Sequence, residues 1–245
     1  MKKIFNKLLM TILTVIFILS LGNFIKIISE YKKNKEAYKE IENIVISKDD
    51  MLIENEDEAP INTEKYTRLK EINEDYAFWI YIPNTNVNYP VVMSENNEEY
   101  LHKNFKGEGN NGGSIFVDSR NTLEDDNIVI HGHNMKDKSM FGTLSEFLDS
   151  EFLKSNNKIY LYFENEVLEY EIFSVYITYG NESPYKFNFV NDSEFYKYID
   201  DSMSNSIQKL NYKDDGKRNI ITLSTCTNAG SNKRTIINAK LKSKK

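Results

Sequence analysis

The sequence predicts a mainly β fold: an eight-stranded barrel with peripheral helices, preceded by a single membrane-spanning helix. Three observations carry that expectation. Eight short apolar runs, bounded by Gly, Asn, Asp and Pro, lie between Phe78 and Leu241 with few helical stretches among them. Closing such a set into a barrel leaves no exposed strand edges. An uncharged stretch of 18 residues, Leu8 to Ile25, stands near the N-terminus. The 245 residues are 40% hydrophobic and 13% aromatic, enough to build the core of one domain with an appendage.

Composition removes several function classes. Lys and Arg number 31 against 37 Asp and Glu, for a net charge of −6, which argues against a nucleic-acid partner. The single cysteine, Cys226, excludes an internal disulfide and metal clusters built on cysteine pairs. Only His102, His131 and His133 could supply imidazole, so neither a metal nor any other cofactor is expected.

The first element is the apolar stretch. At 1.5 Å per residue its 18 residues span about 27 Å, close to the hydrocarbon core of a bilayer. Lys2, Lys3 and Lys7 precede it and the first acid is Glu30, so the positive-inside rule keeps the N-terminus cytoplasmic and everything after Ile28 outside. A cleaved signal peptide wants small residues at its cleavage site, yet the first alanine is Ala37; an uncleaved, single-pass anchor in the cell membrane is the favoured reading. Residues 1–29 carry four lysines and no acids, so the exported part has 27 bases and 37 acids.

Beyond the membrane, Tyr31, Ala37, Tyr38, Ile41 and Ile44 recur at spacings that continue a helix over Ser29–Val45. Asp49 to Thr63 is acidic, contains Pro60, and reads as a linker. Strands are then predicted at Phe78–Ile82, Val87–Met93, Ser114–Asp118, Asn127–His133, Lys158–Phe163, Val167–Tyr179, Asn219–Thr225 and Thr235–Leu241. Helices are predicted at Asn97–Phe105, Ser139–Leu153 and Ser193–Leu210, the last with Asp192 as its N-cap. There is no internal repeat.

Candidate chemistry gathers at strand ends. Cys226 closes the run Ile220-Ile221-Thr222-Leu223-Ser224-Thr225-Cys226 and precedes a polar loop; His131-Gly132-His133 ends another strand, and Arg234 opens the last. A lone cysteine is most often a small buried hydrophobe, and that alternative stands. A Cys, His and Arg together nevertheless suit acyl transfer. Imidazole can take the thiol proton and return it to a leaving amine, and a guanidinium can stabilise an oxyanion. His131 and His133, two apart, share a face of an unbroken strand. His102 reads as a surface histidine. Asp118 and Arg120 follow a strand, where substrate contact and a surface salt bridge are both open, the latter being commoner.

Thr222-Leu223-Ser224-Thr225-Cys226 resembles the TLxTC signature of sortases, with Arg234 opening the next strand and His133 in the family's x-Gly-His position. Trp79-Ile80-Tyr81-Ile82-Pro83, Tyr89-Pro90-Val91-Val92, Asn96, Tyr100-Leu101, Phe105 and Gly113-Ser114-Ile115-Phe116-Val117-Asp118 are similar to class B sortases in particular, as is the helix at Ser193–Leu210. The resemblance covers about Ile72 to Leu241. It implies a cysteine transpeptidase on a sortase barrel, organised as a cytoplasmic tip and anchor over 1–28, an extracellular helix and acidic linker over 29–70, and the catalytic barrel over 71–245.

The resemblance further implies that Cys226 attacks the threonine carbonyl of an exported protein's C-terminal sorting motif, of the Asn-Pro-x-Thr-Gly/Asn kind. An amine of peptidoglycan or of its lipid-linked precursor would resolve the thioacyl-enzyme. His133 is the implied acid/base, in preference to His131, and Arg234 the implied oxyanion ligand, with Thr225, Ser224 and Asn134 as candidate groove-lining residues. The partners implied are sorting-signal proteins, the amine acceptor and membrane lipid. Two alternatives use the same residues with a pilin lysine or water as acceptor; a third is a membrane-tethered scaffold with an inert cysteine.

Overall fold

The computed structural model describes residues 2–45, 61–180, 184–208, 210, 212, 216–227 and 230–245. The apolar stretch and the predicted juxtamembrane helix form one continuous helix, α1 (Lys2–Val45), about 66 Å long at 1.5 Å per residue. Its first 28 residues leave their large apolar side chains exposed, and the helix is long and apolar enough to cross a membrane. Its last three turns present Asn34, Tyr38, Ile41 and Val45 as a buried stripe. The acidic linker falls largely on residues 46–60, outside the described ones. At its C-terminal end Ile61 is fully buried and Thr63 opens a helix, α2 (Thr63–Ile72), capped by Asn62 accepting from the Lys65 N–H. That helix is absent from the sequence expectation because it buries one residue, Leu69, and so lacks an apolar stripe.

Eight strands follow: β1 (Tyr76–Tyr81), β2 (Asn88–Met93), β3 (Ile115–Val117), β4 (Asn127–His131), β5 (Lys158–Phe163), β6 (Glu166–Tyr179), β7 (Ile220–Thr227) and β8 (Gly230–Lys244). They close a barrel in the order β1-β2-β3-β4-β7-β8-β6-β5, as the alternation of short strands and turns predicts. The β2/β3 and β4/β7 pairs are parallel and the rest antiparallel. The β4-to-β7 crossover spans β5, β6, α3 (Ser150–Ser155) and α4 (Asp192–Asn205). Five of the six β1 residues are buried. Trp79, 1% exposed, donates through Nε1 to Asn88 Oδ1 at 2.7 Å, and Asn88 donates to Glu42 of α1 at 2.8 Å. α1 is thereby tied to the second strand.

The predicted helices are shorter than their apolar spacing implies, and local polar groups are the reason. Over 97–105 only the 3-10 turn Glu99–Leu101 forms, since Asn96 Oδ1 accepts from the Glu98 and Glu99 N–H groups and Asn104 Oδ1 closes the next turn onto Lys106 and Glu108. Over 139–153 the chain splits into a 3-10 turn, Leu144–Leu148, and α3, because Asp149 caps a new start by accepting from the Glu151 and Phe152 N–H groups. α4 begins at Asp192, with Asn191 rather than Asp192 as its cap. It stops at Asn205, where Ser206 exchanges hydrogen bonds with the Val175 backbone and Ile207 N–H donates to the Val175 carbonyl. That segment covers the part of β6 that β5 leaves unpaired.

Ile41 of α1, 1% exposed, belongs to the main apolar core that also takes in the barrel strands. Ile41→Ala is expected to cost about 2–4 kcal/mol in chemical denaturation; a loss below about 0.5 kcal/mol would show that α1 and the barrel unfold independently.

Candidate active site

The site is built by strand register. β7 lies between β4, parallel to it, and β8, antiparallel to it. Ser224 of β7 is level with His131 of β4, and Cys226 with Arg234 of β8. Two residues beyond the His131–Ser224 pair come His133 on one chain and Cys226 on the other. The extension past the end of β4 is held by three hydrogen bonds. Gly132 N–H donates to the Ser224 carbonyl at 3.3 Å, Thr225 Oγ1 donates to the Gly132 carbonyl at 2.7 Å, and Asn134 Nδ2 donates to the Cys226 carbonyl at 2.8 Å. His133, Cys226 and Arg234 thus occupy neighbouring positions on three adjacent chain segments, about 4.8 Å apart. The β7–β8 register shifts immediately after Cys226.

Each of the three is fixed differently. Cys226 is partly buried, as a strand-end residue should be. Gly132 lies directly under the Phe141 ring, where a Cβ would come within 2.8 Å, and Phe141 N–H donates to the His133 carbonyl at 3.0 Å. The His133 ring donates from Nε2 to the Leu101 carbonyl at 2.8 Å. A carbonyl can only accept, so this bond places a hydrogen on Nε2 and leaves the lone pair of the neutral ring on Nδ1. Leu101 is itself held in place. Gly113, at φ +58°, packs against the Tyr100 and Leu101 carbonyls more closely than any side chain permits, and Ser114 N–H donates to Tyr100 O at 2.9 Å. The Tyr38 hydroxyl of α1 donates to the Gly113 carbonyl at 2.9 Å. The Arg234 guanidinium lies beside Gly180, 3.5 Å from where a Cβ would stand.

A second cluster lies one step below. His131 Nε2 is 2.9 Å from Asp118 Oδ2, and Arg120 makes a two-pronged contact with the same carboxylate at 2.8 and 2.8 Å. The sequence favours a surface pair here; instead Asp118 is 1% exposed, and only the Arg120 side is open. The chain dives inward because β3 carries Asp118 N–H to the Val129 carbonyl. Burial pushes the Asp118 carboxyl up, but the bonds from Arg120 and His131 together outweigh it and hold the group well below the usual carboxylate range. His131 is edge-on to Tyr185, whose hydroxyl shares a 2.6 Å hydrogen bond with Ser224. Burial pushes the Tyr185 phenol up, so it stays a neutral hydrogen-bonding group.

Of the candidate lining residues, Ser224 is 2% and Thr225 3% exposed, and both hydroxyls are engaged within the protein. Asn134 sits beside Cys226. His102 is exposed, as expected, but its ring is 6.3 Å from that of His133. Tyr185 and the Leu101 carbonyl escape the sequence analysis: one is among 16 tyrosines, and a main-chain acceptor leaves no trace in residue type.

Because the Asp118 pKa is lowered by folding, its contribution to stability is fully present above the unfolded value near 4 and is lost as pH falls below that. Asp118→Asn is expected to cost on the order of 3 kcal/mol at pH 7, with the gap to the parent chain narrowing below about pH 4. Urea titrations at several pH values measure it; a gap independent of pH would contradict the assignment.

The Sortase domain family model matches residues 80–242. Sortase B of Listeria monocytogenes is 37% identical over 207 residues, covering 81% of this chain and 83% of that protein. Sortase B of Staphylococcus aureus is 32% identical over 183 residues, covering 72% and 74%. Among solved structures, Clostridium perfringens sortase B superimposes with a TM-score of 0.68 at 40% identity, over 72% of this chain and 99% of that one. A Staphylococcus aureus sortase B–substrate complex gives 0.76 at 28% identity, over 88% and 99%. With a barrel of this topology and matches covering 72% to 88% of its length, the chain belongs to the sortase family of cysteine transpeptidases and is similar to its sortase B members.

Proposed function

We propose that this chain is a membrane-anchored sortase that cleaves a sorting motif of the Asn-Pro-x-Thr-Gly/Asn kind after threonine and transfers the protein to a peptidoglycan amine. The observation that carries the reading is the register aligning His133, Cys226 and Arg234 on adjacent segments. The Cys226 thiolate attacks the threonine carbonyl. Arg234, with backbone N–H groups near the cysteine, stabilises the oxyanion. His133 protonates the leaving amine, and the C–N bond breaks to give a thioacyl-enzyme. The acceptor amine then attacks that carbonyl, His133 takes its proton, and the thiolate leaves. Asn134 stands at the groove beside the nucleophile, and the buried Ser224 and Thr225 hold the strand from behind through their bonds to Tyr185 and Gly132. The three lysines ahead of the apolar segment support a cytoplasmic tip and membrane anchor over 1–28. The 29–70 segment and the 71–245 barrel then lie outside, at the cell membrane.

The test uses the full chain in detergent micelles with a sorting peptide and triglycine, products being read by mass spectrometry. Cleavage after threonine with amine transfer is expected. Cys226→Ala should lose all of it while melting with the parent chain; a melting temperature many degrees lower would mark Cys226 as a packing residue. His133→Ala is expected to lower kcat by about 10²–10⁴-fold, and Arg234→Ala by about 10²–10³-fold. Arg234→Lys should not restore the parent rate, because one ammonium does not reproduce a planar fork of donors. Chelators should leave turnover unchanged, and a chelator-sensitive rate would contradict a metal-free mechanism. Cleavage to free acid alone would assign a peptidase instead.

A further inference from the structure

Between α1 and the barrel runs a groove of about 640 Å³. Glu30, Tyr31 and Asn34 form its helix side; the turn at 110–112 and the segment Asn134–Asp137 form its barrel side. Both barrel-side segments abut the active site. Asn134 follows His133 and donates to the Cys226 carbonyl. Asn110 N–H donates to the His102 carbonyl at 2.8 Å, and the His102 ring neighbours that of His133. One side chain, Asn134, therefore separates the groove from the backbone of the candidate nucleophile.

An independent observation concerns what the groove would hold. Asn34 is 5% exposed, and its amide oxygen has no hydrogen-bond partner among the described residues. A buried acceptor left unmatched calls for a donor. The carboxylates of Glu30 and Asp137 line the same groove, with Lys136 beside them. Glu30 accepts from Asn111 Nδ2 and lies 3.9 Å from Lys26, and Asp137 accepts from Ser139; the lone pairs these carboxylates keep, together with the Asn34 oxygen, fit a group that is cationic and rich in N–H, which is a primary ammonium. The place also matters. Glu30 lies five residues past Ile25, about 7.5 Å along the helix, so the groove opens where a membrane-borne ligand would emerge.

We propose that this groove is the acceptor site, taking the primary amine of a membrane-borne precursor and delivering it past Asn134 to the thioacyl carbon; the assignment rests on the transpeptidase reading above. The bound ammonium gives one proton to water at the open end. The neutral nitrogen then forms the new C–N bond, its second proton passes to His133, the C–S bond breaks, and the Cys226 thiolate recovers that proton.

The experiment places the full chain in lipid vesicles with a sorting peptide and titrates triglycine, free or coupled to a lipid in the same vesicles. The acylation rate of each variant serves as internal reference. Asn34→Leu keeps the bulk and removes the unmatched oxygen, so it should melt no lower than the parent. It should raise the acceptor KM roughly tenfold, in line with losing a hydrogen bond to a charged group, and lower the ratio of transfer to hydrolysis to match. Glu30→Gln, at the half-buried helix side of the groove, should shift the same ratio in the same direction. The lipid-coupled acceptor should outcompete the free one. Unchanged acceptor KM and unchanged partition in both variants would overturn the acceptor site while leaving the transpeptidase reading intact. Absence of a thioacyl-enzyme in the parent chain would overturn that reading and the acceptor site together.

Discussion

Strand β7 is held on both sides, by β4 running parallel and by β8 running antiparallel, and the rest of the site depends on that double pairing. A one-residue slip on either side would turn Cys226 to the other face of the sheet and separate it from its neighbours. Burial opposes such a slip, since Ile220, Ile221, Thr222, Leu223, Ser224 and Thr225 are all buried. The Thr225 hydroxyl adds a bond that runs across the pair, to the Gly132 carbonyl. The sheet is regular up to Cys226 and irregular just after it. Cys226, the proposed nucleophile, therefore stands on the last regularly paired position before the loop, where a side chain can be both held and reached.

Charge in this protein is handled by the same logic. Asp118 is buried with two partners, and it anchors His131 and Arg120 at once. A buried carboxylate with one partner removed is strongly unfavourable, so the cluster acts as a unit that fixes His131 in a structural place. His133, two residues on, is held instead by a neutral carbonyl. Two histidines close in sequence are thus given different surroundings by what faces their Nε2 atoms. The α1 helix contributes through Tyr38, whose hydroxyl reaches Gly113 next to the segment carrying Leu101. The membrane-proximal helix and the site are consequently one packed body rather than a tether and a domain.

Much of this was legible in the sequence, and the exceptions have physical causes. Short apolar runs located all eight strands, because strands buried on both faces, as β1, β3, β4 and β7 are, read as continuous apolar stretches punctuated by turn residues. The segments 97–105 and 139–153 form less helix than their apolar spacing predicts, because the Asn96, Asn104 and Asp149 side chains compete for the backbone N–H groups. α2 was missed because one buried leucine makes no stripe. At the site, residue types pointed to Cys226, Arg234 and the two histidines, and the family position alone preferred His133; the contacts that set the two rings apart, with Asp118 and with the Leu101 carbonyl, were not visible. Neither contact is local in sequence. The depth of Asp118 was likewise invisible, because an Asp two residues from an Arg reads as a surface pair.

The central claim is that His133, and not His131, exchanges protons with Cys226. The pH dependence of Cys226 alkylation by iodoacetamide tests it directly in the parent chain, in His131→Gln and in His133→Gln. The account predicts that His133→Gln changes the shape of the profile and that His131→Gln leaves it in place. A profile altered by His131→Gln and untouched by His133→Gln would contradict it.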